Sequence, residues 1–192
     1  MDTALSTPSP FIRPLTRDDA AQWRALRLTA LKEHPKAFTE SYDEAAARDL
    51  AAYTERMPVD GDAAAIFGLF LGEALLGSAG FAIQPGLQRR HKGLLWGVYV
   101  SAQLRGKGLA RALIQRVIER ARAHVVLLQA GVGAYNEPAR RLYYELGFRS
   151  YGLEPAALRV AGEDIEEELI WLDLRGGADS LPPGDLSDRR AP

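Results

Sequence analysis

Apolar positions along the chain switch between a period of two and a period near 3.6, and the switches divide it into strands and helices. Residues 11–15 form a short apolar run that predicts a strand. Thr16-Arg17-Asp18-Asp19 then has the form of a helix start, with a capping hydroxyl and acids in the first turn. Trp23, Leu26 and Ala30 carry one face of that helix to about residue 33, where His34-Pro35 stops it. An alanine-rich helix is predicted over 43–56. Residues 64–70 and 75–83 read as a hairpin about Leu71-Gly72-Glu73-Ala74, and 93–100, after the polar loop 84–92, as a third apolar run. From Leu109 the period lengthens. Leu109, Leu113, Val117 and Ala121, with Ile114 and Ile118, mark one helical face, and Arg111, Gln115, Arg116, Glu119, Arg120 and Arg122 the other. Residues 125–128 predict a strand, and 137–146 a helix capped by Asn136 and stopped by Gly147. Residues 148–160 and 165–174 predict a last hairpin across Ala161-Gly162. The order is that of one mixed α/β (α+β) domain over residues 11–175. A loose Ser/Thr/Pro leader over 1–10 and a disordered tail over 176–192 flank it.

Composition narrows the chemistry. The 192 residues carry a net charge of -1, which argues against a nucleic-acid or anionic-membrane partner. Cysteine is absent, excluding disulfides, thiolate metal sites and cysteine nucleophiles. His34, His91 and His124 stand at none of the i, i+3 or i+4 spacings that pair ligands on a helix, so no metal is expected. The opening MDTALSTPSPF has neither the basic nor the apolar region of a signal peptide, and no apolar run approaches the roughly 18 residues of a membrane span. A cytoplasmic protein is expected.

The candidate chemistry centres on Arg105-Gly106-Lys107-Gly108, between an apolar run and a helix. A P-loop requires Ser or Thr after Gly-Lys and a glycine five residues earlier, and neither is present. A dinucleotide fingerprint requires a third glycine where Arg111 stands. What remains is an anion nest: successive backbone N–H groups at a helix N-terminus, which adds about half a positive charge, with glycines that let a ligand approach. Arg105, Lys107 and Arg111 would add mobile charge, an arrangement suited to a pyrophosphate bound without a divalent metal. An isolated Gly-x-Gly is ordinarily no more than a tight turn.

This turn is not isolated. Gln103-Leu104-Arg105-Gly106-Lys107-Gly108-Leu109-Ala110 after Val98-Tyr99-Val100 resembles the acyl-CoA signature of the GNAT superfamily of N-acetyltransferases. Asn136-Glu137-Pro138-Ala139-Arg140-Arg141-Leu142-Tyr143-Tyr144-Glu145-Leu146-Gly147-Phe148 resembles that superfamily's second hallmark, in the right order and at the right separation. Leu26-Arg27-Leu28, Ala30-Leu31 and Pro35-x-Ala37-Phe38 are similar to a pattern common among bacterial members. The resemblance spans about 11–174. It implies a mostly antiparallel sheet of six or seven strands with about four helices, splayed between its fourth and fifth strands.

By the same resemblance, acetyl-CoA is the acyl donor and a small-molecule, peptide or protein amine the acceptor, with direct transfer and no metal. Val98, Tyr99 and Val100 would pair with the pantetheine arm. The N–H groups of Arg105, Gly106, Lys107, Gly108, Leu109, Ala110 and Arg111 would cradle the pyrophosphate. Asn136 would hold the cofactor arm, cap its helix, or do both. Tyr143 aligns with the tyrosine that protonates the departing thiolate, although its spacing also suits a core residue. Tyr144 lies about 100° further round the helix and is not expected to replace it.

The acceptor would lie between the first two helices and the last hairpin, with Trp23, Arg27, Phe38, Glu40 and Tyr42 as candidates and packing as their alternative role. The base that some members carry at the start of the fourth strand is absent from Gly93-Leu94-Leu95-Trp96. Glu40, Glu73, a water chain or solvent remain open in its place. Arg89-Arg90-His91-Lys92 would meet a 3′-phosphate or an acidic substrate, or form a solvated loop. Glu163-Asp164-x-Glu166-Glu167-Glu168 would attract a cationic amine, or keep an edge strand soluble. The resemblance leaves open another acyl donor, a catalytically silent acyl-CoA-binding module, and a homodimer that no residue demands.

Overall fold

The computed structural model describes residues 8–58 and 64–175. The predicted tail and most of the predicted leader lie outside the described residues, and Pro10 already belongs to the first strand. Seven strands, β1 (Pro10–Pro14), β2 (Ala65–Leu71), β3 (Ala74–Ile83), β4 (Lys92–Val100), β5 (Leu127–Gly133), β6 (Arg149–Val160) and β7 (Glu163–Asp173), form one sheet in the order β1-β2-β3-β4-β5-β7-β6. Every pairing is antiparallel except β4 with β5. The α-helices are α1 (Ala20–Glu33), α2 (Tyr42–Ala46), α3 (Leu50–Glu55), α4 (Leu109–Arg122) and α5 (Glu137–Glu145).

Both faces of the sheet are covered, which is why β2 is apolar almost throughout rather than alternating. Phe67, Leu69, Phe81 and Leu95 pack against Leu113, Ile114 and Val117 of α4 and Tyr143 of α5. The opposite side seats Ile66, Phe70, Leu75 and Tyr99 against Trp23 and Leu26 of α1 and Tyr53 of α3. The faces predicted for α1 and α4 are the buried ones.

Two predicted boundaries shift and one predicted edge moves. The alanine-rich helix is two helices, because Asp49 caps a new start by accepting from the Ala52 N–H at 2.9 Å. Arg24 donates to the carbonyls of Ala46 and Arg48 at that break. β5 runs to Gly133, through glycines that read as a strand end. β7 lies between β5 and β6, so its acidic run does not guard an edge; β6 is the edge.

Asp19 fastens the start of α1 to β1. It is 5% exposed, accepts two 2.7 Å hydrogen bonds from Arg13, and accepts another from the Thr16 N–H at 2.8 Å. The Arg13 guanidinium is the main reason its pKa falls to about 2. A carboxylate so depressed contributes stability at pH values above its unfolded pKa of about 3.9, and that contribution is lost as pH falls toward 2. Asp19→Asn is expected to cost about 1.5 kcal/mol at pH 7, the partly exposed Arg13 moderating the effect. Denaturant melts should show the gap between variant and native protein closing near pH 2.

Candidate active site

The parallel pairing of β4 with β5 covers only Lys92–Leu94 against Leu127–Gln129. Beyond Leu94 the two strands part. A bulge sits where they separate: Ala79 of β3 faces both Gly97 and Val98, and Gly97 takes a positive φ of +65°. A cleft of about 600 Å³ passes through this gap. Leu95 to Val100 form one wall, Gly131 to Gly133 another, with Tyr143, Leu142 and Ala110 on the side of α4 and α5 and His34, Phe38 and Tyr135 on the other.

A smaller cavity of about 320 Å³ continues the cleft to the start of α4, over Gly106, Gly108, Leu109 and Arg111. Gly106 and Gly108 have φ of +74° and +72°, and a Cβ on either would point into open space. The first backbone bond of α4 runs from the Ala112 N–H to the Gly108 carbonyl at 3.1 Å. None of the six N–H groups from Gly106 to Arg111 meets a backbone acceptor among the described residues. Backbone donors without acceptors, beside a cavity at the positive end of a helix, suit a diphosphate.

The charged side chains around the nest are less mobile than the sequence implied. Arg105 folds back, donating to the Val100 carbonyl at 2.9 Å and lying 2.9 Å from His34 Nε2. Arg111 is bonded to Glu145. Of the three cations only Lys107 has no ion pair among the described residues.

Val98 and Val100 line the cleft. So does Tyr99, whose hydroxyl donates to Glu33 at 2.8 Å. Asn136 caps α5 through its side-chain oxygen, which accepts from the Ala139 N–H at 3.3 Å, and it also lines the cleft. α5 has nine residues, too few to be stable alone. It is held by Arg140, which donates to the buried Glu168 of β7 at 2.7 Å, and by Tyr143 in the core.

Tyr143 is 7% exposed, stacks edge-on against Phe148 at 5.3 Å and borders the cleft. Burial pushes its phenol well above the ordinary tyrosine value. Its hydroxyl has no side-chain hydrogen-bond partner among the described residues. Tyr144 points elsewhere and is bonded to Glu168.

The acceptor-side candidates divide. Phe38 lines the cleft, with the Arg27 guanidinium 4.5 Å over its ring. Arg27 donates to Glu40 at 3.1 Å and would lie 3.7 Å from a Cβ at Gly97, just behind the bulge. Trp23 is core, packed on Tyr53 and Trp96, and Tyr42 is exposed on α2; neither borders the cleft. Glu40 is enclosed by Arg27, Arg48 and Arg56, and Glu73 sits in the β2–β3 turn away from the cleft. The Arg89–Lys92 run closes the β3–β4 loop, also away from it. No carboxylate fits at Gly93, where a Cβ would come within 2.4 Å of the Phe81 ring.

His34 and Tyr135 were missed. His34 reaches the cleft only because the chain turns back toward β4 after α1, and Tyr135 only because β5 is longer than its apolar run. No group of three or more His, Asp or Glu is placed to hold a metal ion among the described residues. No described helix is long and apolar enough to cross a membrane.

A sheet parted between two parallel strands, with an anion nest at one end of the gap, is the architecture of an acyl-group transferase. The chain belongs to the acetyltransferase (GNAT) family, whose family model matches residues 23–148. Similar solved structures include an acetyltransferase of the GNAT family from Streptococcus pneumoniae, with 21% identity, TM-score 0.77, and 86% of this chain and 99% of that one covered. An N-acetyltransferase from Staphylococcus aureus is 25% identical at TM-score 0.71, covering 87% and 99%. The yncA protein of Salmonella typhimurium, solved with its cofactor acetyl-CoA, is 23% identical at TM-score 0.72, covering 89% and 97%. No curated protein matches the chain in sequence.

Proposed function

We propose that the protein transfers the acetyl group of acetyl-CoA to a primary amine by direct attack in a ternary complex, with Tyr143 as the general acid. The reading rests on one juxtaposition: six N–H groups without backbone acceptors at the head of α4 stand beside a cavity that shares Val100, Arg105, Ala110 and Leu142 with the cleft bordered by Tyr143. Acetyl-CoA supplies a thioester whose carbonyl carbon yields to an amine. The nest from Gly106 to Arg111 holds the diphosphate, and Lys107 adds the charge that Arg105 and Arg111 have committed elsewhere. The free edge of β4 from Val98 to Val100 offers backbone partners to the pantetheine amides, and Asn136 faces them across the cleft.

Tyr143 keeps its proton at neutral pH because burial disfavours the phenolate. It therefore acts as a donor. It hydrogen-bonds the sulfur as charge develops there, and a proton from the attacking nitrogen replaces the one it gives. With both substrates varied, initial-velocity lines should intersect, as a ternary complex requires. Parallel lines would mean an acetylated enzyme and would contradict direct attack.

A further inference from the structure

The acidic run at the head of β7 is largely accounted for by ion pairs. Glu163 is bonded to Lys36 at 2.6 Å, Asp164 to Arg159 at 2.6 Å, and Glu168 to Arg140 at 2.7 Å and to Tyr144. Glu166 is exposed. Glu167 differs: it is half-buried and has no hydrogen-bond or ion-pair partner among the described residues.

Its position follows from register. Glu167 stands opposite Gly133 of β5 and Glu154 of β6, so these residues share a face of the sheet. Along β5 that face has no side chain of its own at Gly131 and Gly133; the Tyr135 ring lies over Gly133 and the Glu167 carboxylate over Gly131. The Glu167 Oε2 lies 2.7 Å from where a Cβ on Gly131 would stand, an approach that only a glycine there allows. Gly131 and Gly133 both wall the cleft, whose lining also includes Phe38, His34 and Tyr135. The opposite face of β5, with Leu128, Ala130 and Val132, is buried in the core beside α4.

Resting on the acetyl-transfer reading above, we infer that Glu167 is the residue that binds the ammonium group of the acceptor and takes its proton. The nitrogen loses two protons in forming the amide. The first passes to Glu167 and on to solvent, freeing the lone pair that forms the N–C bond as the C–S bond breaks. The second replaces the proton that Tyr143 gives to sulfur. The acceptor is thus cationic before it reacts, and Gly131 lets the carboxylate lie close against the strand that walls the gap.

The surroundings suit a proton acceptor. Burial, and then the like charge of Glu154, raise Glu167 above the ordinary carboxylate range. The other ionisable groups nearby are the Tyr135 phenol and Lys36, the latter already paired with Glu163.

Glu167→Gln is expected to lower kcat/KM for the amine about 100-fold, a typical contribution of a positioned base, with acetyl-CoA affinity unchanged. Spermidine, lysine amide and an alanyl tripeptide serve as acceptors. In the native enzyme activity should rise with pH as Glu167 ionises. In the Gln variant that limb should move alkaline, toward the pKa of the amine itself. Glu154→Gln removes the like charge, so the limb should move to lower pH, together with the carbon-13 carboxyl titration of Glu167 in the free protein. A Gln variant of native activity and unshifted pH profile would overturn the assignment while leaving the transferase reading intact. So would a Glu154→Gln protein whose limb and titration both stay in place. Native protein that acetylates none of the three amines would overturn the transferase reading, and this assignment with it.

Discussion

Replacing Gly108 with aspartate is expected to weaken acetyl-CoA binding at least about 100-fold, or roughly 2.7 kcal/mol, while the protein still folds. The backbone at Gly108 has φ of +72°, where most side chains are strained, but Asp and Asn tolerate this region better than other residues. A Cβ there meets nothing within 4 Å, so the new side chain has space. The effect is therefore electrostatic. A carboxylate at the head of α4 would bond the N–H groups that otherwise lack acceptors, and it would repel a diphosphate from the same place. Gly108→Asn supplies the control, with similar shape and backbone preference but no charge, and its loss should be several-fold smaller. Isothermal titration with acetyl-CoA separates the two. Equal affinity in both variants and the native protein would mean that the nest does not hold the cofactor.

The second large effect falls on turnover rather than binding. Tyr143→Phe is expected to lower kcat about 100-fold with the acetyl-CoA dissociation constant unchanged. The substitution removes one hydroxyl with no side-chain partner among the described residues, so it leaves no buried group unsatisfied. Stability should hold or rise slightly. The ring stays in place against Phe148, keeping the wall of the cleft. Loss of kcat with the fold and cofactor affinity intact is what a proton donor predicts. Loss of stability with little change in kcat is what a packing residue predicts.

The helical faces, the hairpins, the glycine nest and the Tyr143 segment could all be read from the sequence, because each depends on residues close together in the chain. The α1 and α4 stripes and the turn at Gly106–Gly108 needed only local periodicity and glycine chemistry. What could not be read depends on distant partners. Arg105 and Arg111 looked like free charge until His34 and Glu145, 71 and 34 residues away, were found beside them. Glu163 is paired to a lysine 127 residues earlier. Glu167, by contrast, has no ion pair among the described residues and lies over Gly131, which lines the cleft.

Glycine misled in the other direction. Gly131 and Gly133 lowered the apparent strand content of β5, so the strand was read as ending at residue 128. The same glycines let the Tyr135 ring and the Glu167 carboxylate lie close against the strand. Of the five acceptor candidates on the N-terminal segments, Phe38 lines the cleft and Arg27 lies close behind Gly97. Trp23 was drawn into the core by its own size.

The most direct test of the account is the release of free thiol from acetyl-CoA by the native protein, with and without a primary amine. Thiol release that depends on the amine, with one N-acetylated product per thiol and about 100-fold slower turnover in Tyr143→Phe, is the predicted result. Tight binding of acetyl-CoA with no amine-dependent thiol release would contradict it and mark the protein as a binding module.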